Sequence, residues 1–171
     1  WRRFKFPVVA IGNHHKSYEE EMSFFRMPRE YYAKKPHKDV LFLILNSDNK
    51  KNVKEQLSWL ERALKKANEP LIYLVYHHPS YTVSKLHSWK ERKYFQKWMR
   101  IILKKYRSKI DAVIAGHDHI ASLVMLDDLP MIVSGASWEW RKPLAVDYRS
   151  SDGTKVKTAW IFKGGPHFVR M

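Results

Sequence analysis

Nine histidines and no cysteine make imidazole the main metal-binding donor available to this chain. Three polar clusters that contain them share a setting. Gly12-Asn13-His14-His15, His77-His78-Pro79 and Gly116-His117-Asp118-His119 each follow a short apolar run rich in β-branched residues. Neutral imidazoles together with an amide oxygen suit a borderline cation such as Zn, Mn or Fe. His117 and His119 stand two apart, which in an extended segment puts both rings on one side. Gly12 and Gly116 permit the backbone turn that each cluster needs. His37, His87 and His167 lack such a setting and read as surface or packing residues.

The elements that would position these clusters follow from periodicity. Residues 7–11, 40–45, 71–76 and 110–115 are short apolar runs and predict buried strands. Residues 52–67 place Val53, Leu57, Leu60, Leu64 and Ala67 on one helical face, closed by Asn68 and Pro70. Ser88 with Glu91 reads as a capping box ahead of a second long helix, striped by Phe95, Trp98, Met99, Ile102, Leu103 and Tyr106. Strands alternating with helices predict an α/β fold, a parallel or mixed sheet covered by helices. In such sheets ligands bind outside the carboxyl ends of the strands, so three distant loops are expected to converge on one crevice. Past Gly116 the pattern changes. Residues 121–126, 130–134, 144–148, 155–162 and 167–169 are strand candidates at hairpin spacing, with Ser151-Asp152-Gly153 as a turn. With no internal repeat or linker, residues 1–171 are expected to form one α/β domain that finishes in an antiparallel meander.

Composition excludes several classes. An aromatic fraction of 14% argues against intrinsic disorder. No apolar run approaches the roughly 18 residues of a membrane span. Without cysteine there are no disulfides, thiolate nucleophiles or cysteine-containing zinc motifs. A formal charge of +15 favours anionic partners: a phosphorylated small molecule or other phosphoester, an acidic surface, or nucleic acid. No base-reading motif is present, so nucleic acid is the less favoured of these. Oligomeric state and compartment stay open.

Gly-Asn-His, then His-x-Pro, then Gly-His-x-His, in this order and each after a strand, resembles the last three signature blocks of the calcineurin-like metallophosphoesterases. The nearer branch is that of the purple acid phosphatases. Gln56-Leu57-Ser58-Trp59-Leu60 is similar to the helix before the His-x-Pro strand in many members, and the resemblance covers roughly residues 7–134. It implies a mixed β-sandwich flanked by helices and hydrolysis of a phosphate mono- or diester by a metal-bound hydroxide. It further implies two divalent or trivalent ions (Mn, Fe or Zn) in the complete enzyme. By that resemblance Asn13, His77 and His117 would ligate one metal, and His119 the other. His14 would stabilise the transition state or protonate the leaving group. His78 occupies a variable position and carries no role over, and no substrate-binding residue is assigned.

Two departures stand beside the match. The family's Asp-x-His and Gly-Asp-x-x-Asp blocks are absent, since no Asp here is followed two residues later by His and no Gly is followed by Asp. The bridging carboxylate is therefore missing, and His119 alone would not hold a second ion. The chain opens at Trp1, and two upstream βα units of roughly 30 residues each are expected to supply those blocks in the full-length protein. The second departure is His15, where the family has an acidic residue that orients the preceding histidine. Both departures, with the charge, support an alternative: a noncatalytic anion- or nucleic-acid-binding domain that retains the fold. Trp138, Trp140 and Arg141, in the loop 135–143, would line a substrate pocket or cover the meander.

Overall fold

The computed structural model describes residues 8–84, 92–135 and 147–162. Helix α1 (Tyr18–Phe25) comes first, then strands β1 (Tyr32–His37) and β2 (Val40–Ile44). Helix α2 (Val53–Lys66), β3 (Leu71–Val75), α3 (Lys93–Lys105) and β4 (Ala112–Ala115) follow in alternation. The chain continues through β5 (Ala121–Leu126), β6 (Leu129–Ser134), β7 (Tyr148–Arg149) and β8 (Lys155–Phe162). The strands hydrogen-bond into one eight-stranded mixed sheet of order β1-β2-β3-β4-β6-β5-β8-β7. Strands β2, β3, β4 and β6 run parallel, and the remaining neighbours are antiparallel. This is the expected α/β architecture, with helices as crossovers, but the closing strands are not the expected meander: β5 pairs with β8, so the β5–β6 and β7–β8 hairpins lie side by side and β6 joins the parallel strands.

Each crossover helix buries one stripe. Val53, Leu57, Leu60 and Leu64 of α2, and Phe95, Met99, Ile102 and Leu103 of α3, join Leu41, Leu43, Leu74 and Val113 of the sheet in one core. The strands are less completely buried than continuous apolar runs suggest. In β3, Ile72 and Leu74 are buried, Tyr73 and Val75 are half-buried and Leu71 is exposed. Alternation follows because the helices cover one sheet face, and neighbouring side chains on a strand point to opposite faces.

Residues 8–11 form no strand. Among the described residues no strand pairs with them, and the backbone N–H and C=O of Val9 both bond the Tyr32 hydroxyl, at 3.1 and 3.0 Å. Helix α3 begins at Lys93, so Ser88 and Glu91 precede it and lie outside the described residues, as do residues 144–146 and 167–169. Strand β7 (Tyr148–Arg149) meets the strand expected at 144–148 at Tyr148 only, and Asp147 is not part of it. Ser151-Asp152-Gly153 does turn, with Gly153 at φ 86° and its N–H donating to Ser150 O at 2.9 Å.

Two polar clamps tie the sheet's carboxyl edge to the helices. Gln56, buried in the first turn of α2, accepts from Asn46 N–H at 3.1 Å and donates to Asn46 C=O at 2.9 Å. Gln96, buried in the first turn of α3, donates to Pro79 C=O at 2.8 Å. Each helix thus holds the loop that leaves the strand before it, satisfying backbone groups that burial would otherwise leave unpaired.

Candidate metal centre

Strands β3 and β4 are adjacent and parallel, so the loops that leave them emerge side by side. His77 Nε2 and His117 Nδ1 approach to 3.2 Å. Asn13 enters from the 8–15 segment and places its Oδ1 2.8 Å from His77 Nε2 and 3.3 Å from His117 Nδ1. For metal–nitrogen distances of about 2.0–2.1 Å, donors in neighbouring coordination positions lie about 2.9–3.4 Å apart. The three donor atoms therefore form a triangle of the size that one cation requires. Burial, and then the charge of His117, lower the His77 pKa to about 3, so that ring is neutral and its lone pair remains available at neutral pH.

The histidine loop differs from the expected extended segment. His117 and His119 have φ of 63° and 50°, in the left-handed region that side chains seldom adopt, and Asp118 N–H donates to Gly116 C=O at 2.7 Å. Strand alternation therefore does not place these rings. His117 joins the cluster, whereas His119 lies outside the group of ring nitrogens that fall within 4.8 Å of one another. Asp118 is buried and accepts from the Thr82 hydroxyl, which comes from the loop after β3.

His78, assigned no role from sequence, is the third member of that group with His77 and His117. Its ring centroid is 4.3 Å from that of His117 and 4.8 Å from that of His77. Its backbone N–H donates to Ser47 Oγ at 2.9 Å, and its Nδ1 lies 2.8 Å from the same oxygen. Ser47 sits just past β2, so three neighbouring parallel strands contribute to the centre. The signal for it was the polar run Asn46-Ser47-Asp48 at the end of an apolar strand.

Gly12 and Gly116 owe their place to proximity rather than to turn geometry. Neither has a positive φ, but a Cβ at Gly12 would lie 3.1 Å from the His77 ring and one at Gly116 would lie 3.3 Å from it. Gly135, at the end of β6, is tighter: its Cβ would lie 2.9 Å from His119 N and 3.1 Å from His117 N. Those neighbours are backbone and cannot rotate away. Gly135→Ala is expected to lower stability by about 1–3 kcal/mol and to weaken metal binding with it. A urea midpoint equal to that of the parent chain would contradict this packing. The rest of the 135–143 loop, with Trp138, Trp140 and Arg141, lies outside the described residues.

His14 is exposed beside the cluster, near enough for its charge to depress His77 further. His15 turns the other way. Its Nδ1 donates to Gly12 C=O at 2.6 Å, and its ring stacks on Tyr18 with centroids 4.4 Å apart. Tyr18 in turn donates to Asp48 at 3.1 Å, and Asp48 pairs with Arg92. His15 thus fixes the loop backbone rather than the His14 ring.

The profile of the calcineurin-like phosphoesterase family matches residues 3–121. The chain belongs to that family. No curated protein sequence gives a significant match. Among solved structures, the calcineurin-like phosphoesterase chain is similar to GAP50, the anchor in the inner membrane complex of Plasmodium, with a TM-score of 0.54 and 19% identity. That similarity covers 79% of this chain and 44% of GAP50. It is also similar to the purple acid phosphatase PPD1 from yellow lupin (Lupinus luteus) seeds, with a TM-score of 0.54 and 14% identity. Here 77% of this chain and 27% of PPD1 are covered. The chain thus spans less than half the length of either, and at these identities the likeness concerns the fold: an α/β metallophosphatase-like architecture.

Proposed function

We propose that this calcineurin-like phosphoesterase chain carries part of the dinuclear metal centre of an enzyme that hydrolyses a phosphate mono- or diester. The convergence of Asn13 Oδ1, His77 Nε2 and His117 Nδ1 within 3.3 Å supports this reading most directly. These three would hold one ion of Mn, Fe or Zn, and His119 would face the second. Bound ions of this kind polarise phosphoryl oxygens and offset the charge that develops in the transition state. The chain's own residues do the rest: buried His77 stays neutral as a donor, Gly12 and Gly116 leave room for its ring, and exposed His14 can exchange a proton with the leaving group. The carboxylates of the family's first two blocks would come from a segment of the protein outside these 171 residues.

The alternative, a noncatalytic anion-binding domain, is favoured by one observation. The histidine cluster has no carboxylate member among the described residues. The likeness to GAP50, described as an anchor, is compatible with it. A steady-state assay on an aryl phosphate mono- and diester separates the two. A longer form of the protein that carries both carboxylate blocks is expected to turn over with added Mn, Fe or Zn, and the 171-residue chain to show little or none. Bound metals without turnover in the longer form would support the noncatalytic reading.

A further inference from the structure

Helix α3 is apolar on its outer side as well as its inner side. While Phe95, Met99, Ile102 and Leu103 bury against the core, Tyr94, Trp98 and Ile101 remain 45%, 41% and 46% exposed. Spacings of four and three residues put these three on one stripe along the helix. The Tyr94 and Trp98 rings meet edge to face at 6.3 Å. A surface helix ordinarily shows solvent a polar face, so an aromatic ridge there marks a surface that something covers.

The flanks of the ridge show what kind of surface fits. On one side a cavity of about 490 Å³ is lined by Lys93, Lys97, Arg100 and Lys104. On the other, a groove of about 520 Å³ between α2 and α3 has Lys54 and Lys105 at its rim over Leu57 and Ile102. Two carboxylates face these cations. Glu61 accepts from Lys105 at 2.8 Å, Asp152 lies 3.9 Å from Lys104, and Arg100 donates to Ser80 C=O at 2.8 Å and covers the Tyr81 ring, so these three cations are already engaged. The stripe is thus aromatic at its crest, with the Lys97 ammonium group on one flank and that of Lys54 on the other.

We propose that this face of α3 docks on an anionic lipid bilayer surface. Trp and Tyr settle at the headgroup level because one end of each ring is apolar and the other polar. Lysine stems lie along apolar surface while their ammonium groups reach out to lipid phosphates. Among the described residues no helix is long and apolar enough to cross a membrane, so the contact is peripheral. An acidic peptide lying in the groove would engage Lys54 but leave Lys97, on the far side of α3, facing solvent. A bilayer surface meets both flanks at once. The histidine centre lies at the carboxyl edge of the sheet rather than on this helix face, so docking is independent of the proposed hydrolysis.

The test is co-sedimentation of the 171-residue chain with vesicles of phosphatidylcholine alone or with phosphatidylserine added, with circular dichroism as the folding control. Binding is expected only with phosphatidylserine and is expected to fall as salt rises. Lys97→Gln should weaken it about fivefold, since each lysine near an anionic surface contributes about 1 kcal/mol. Trp98→Ser should weaken it about tenfold by removing apolar area from the ridge. Equal binding to neutral vesicles, no binding, or unchanged binding by both folded variants overturns the proposal. So does a dimer or an acidic-peptide complex that Trp98→Ser abolishes while vesicle binding persists.

Discussion

A metal titration of the 171-residue chain is expected to end at one divalent ion per chain, and His77→Ala to weaken that binding by about 10²-fold or more. The first part rests on ligand number and charge. Asn13, His77 and His117 offer three donors at coordination spacing, with His78 beside them, whereas His119 lies outside the cluster. All of these donors are neutral when they bind a cation. A second divalent cation close to the first would meet it with no carboxylate between them among the described residues, and at about 4 Å two doubly charged ions repel by roughly 16 kcal/mol at an effective dielectric of about 20. The second part rests on position. His77 is the shared vertex of the triangle, 2.8 Å from Asn13 Oδ1 and 3.2 Å from His117 Nδ1. Its removal takes away a ligand and opens space between Gly12 and Gly116, which both approach its ring. Calorimetry with Zn or Mn, checked by elemental analysis, reads both quantities. Two tightly held ions in the parent chain, or an unaltered affinity in a folded His77→Ala variant, would rule out this view of the centre.

Where residues report burial, the sequence was legible. Strands at 121–126 and 155–162 occur with those bounds, and the helix read at 52–67 is Val53–Lys66 with Asn52 and Ala67 as its caps. Each is recognisable because its apolar residues repeat with the period of the element. Strand β1 was missed for the opposite reason. Its Tyr-Ala-Lys-Lys-Pro-His has almost no apolar pattern, and as an edge strand it tolerates both Pro36 and two lysines. Helix α1 was missed although Ser17 Oγ accepts from Glu20 N–H at 3.0 Å, because the helix buries no residue and so lacks a periodic stripe. The candidate centre divides in the same way. Glycine and histidine clusters at strand ends announce themselves by type. Gln56, Gln96, Ser47 and Gly135 act through one or two hydrogen bonds or close approaches each, which no periodicity reveals.

The largest expected effect on turnover belongs to His14, in a form of the protein that carries both carboxylate blocks. There His14→Ala is expected to lower kcat by roughly 10² to 10⁴, the range typical of a positioned general acid, with a much smaller change in metal content. The loop geometry is the reason. Asn13 points inward to His77 and His117, while His14, the next residue, has an exposed side chain beside the same cluster. His15 closes the turn behind them by donating to Gly12 C=O and stacking on Tyr18, so the loop backbone is held from the side away from the site. His14 is therefore free to meet a substrate oxygen without being part of the coordination triangle. His15→Ala is expected to act differently, raising KM and lowering kcat modestly as the turn loosens. The pH profile distinguishes the two roles. Loss of a proton donor should change the profile of kcat itself, whereas a loosened turn should scale the profile without changing its shape. If His14→Ala released the metal, or left kcat and its pH dependence intact, His14 would be a structural part of the loop and not the proton donor.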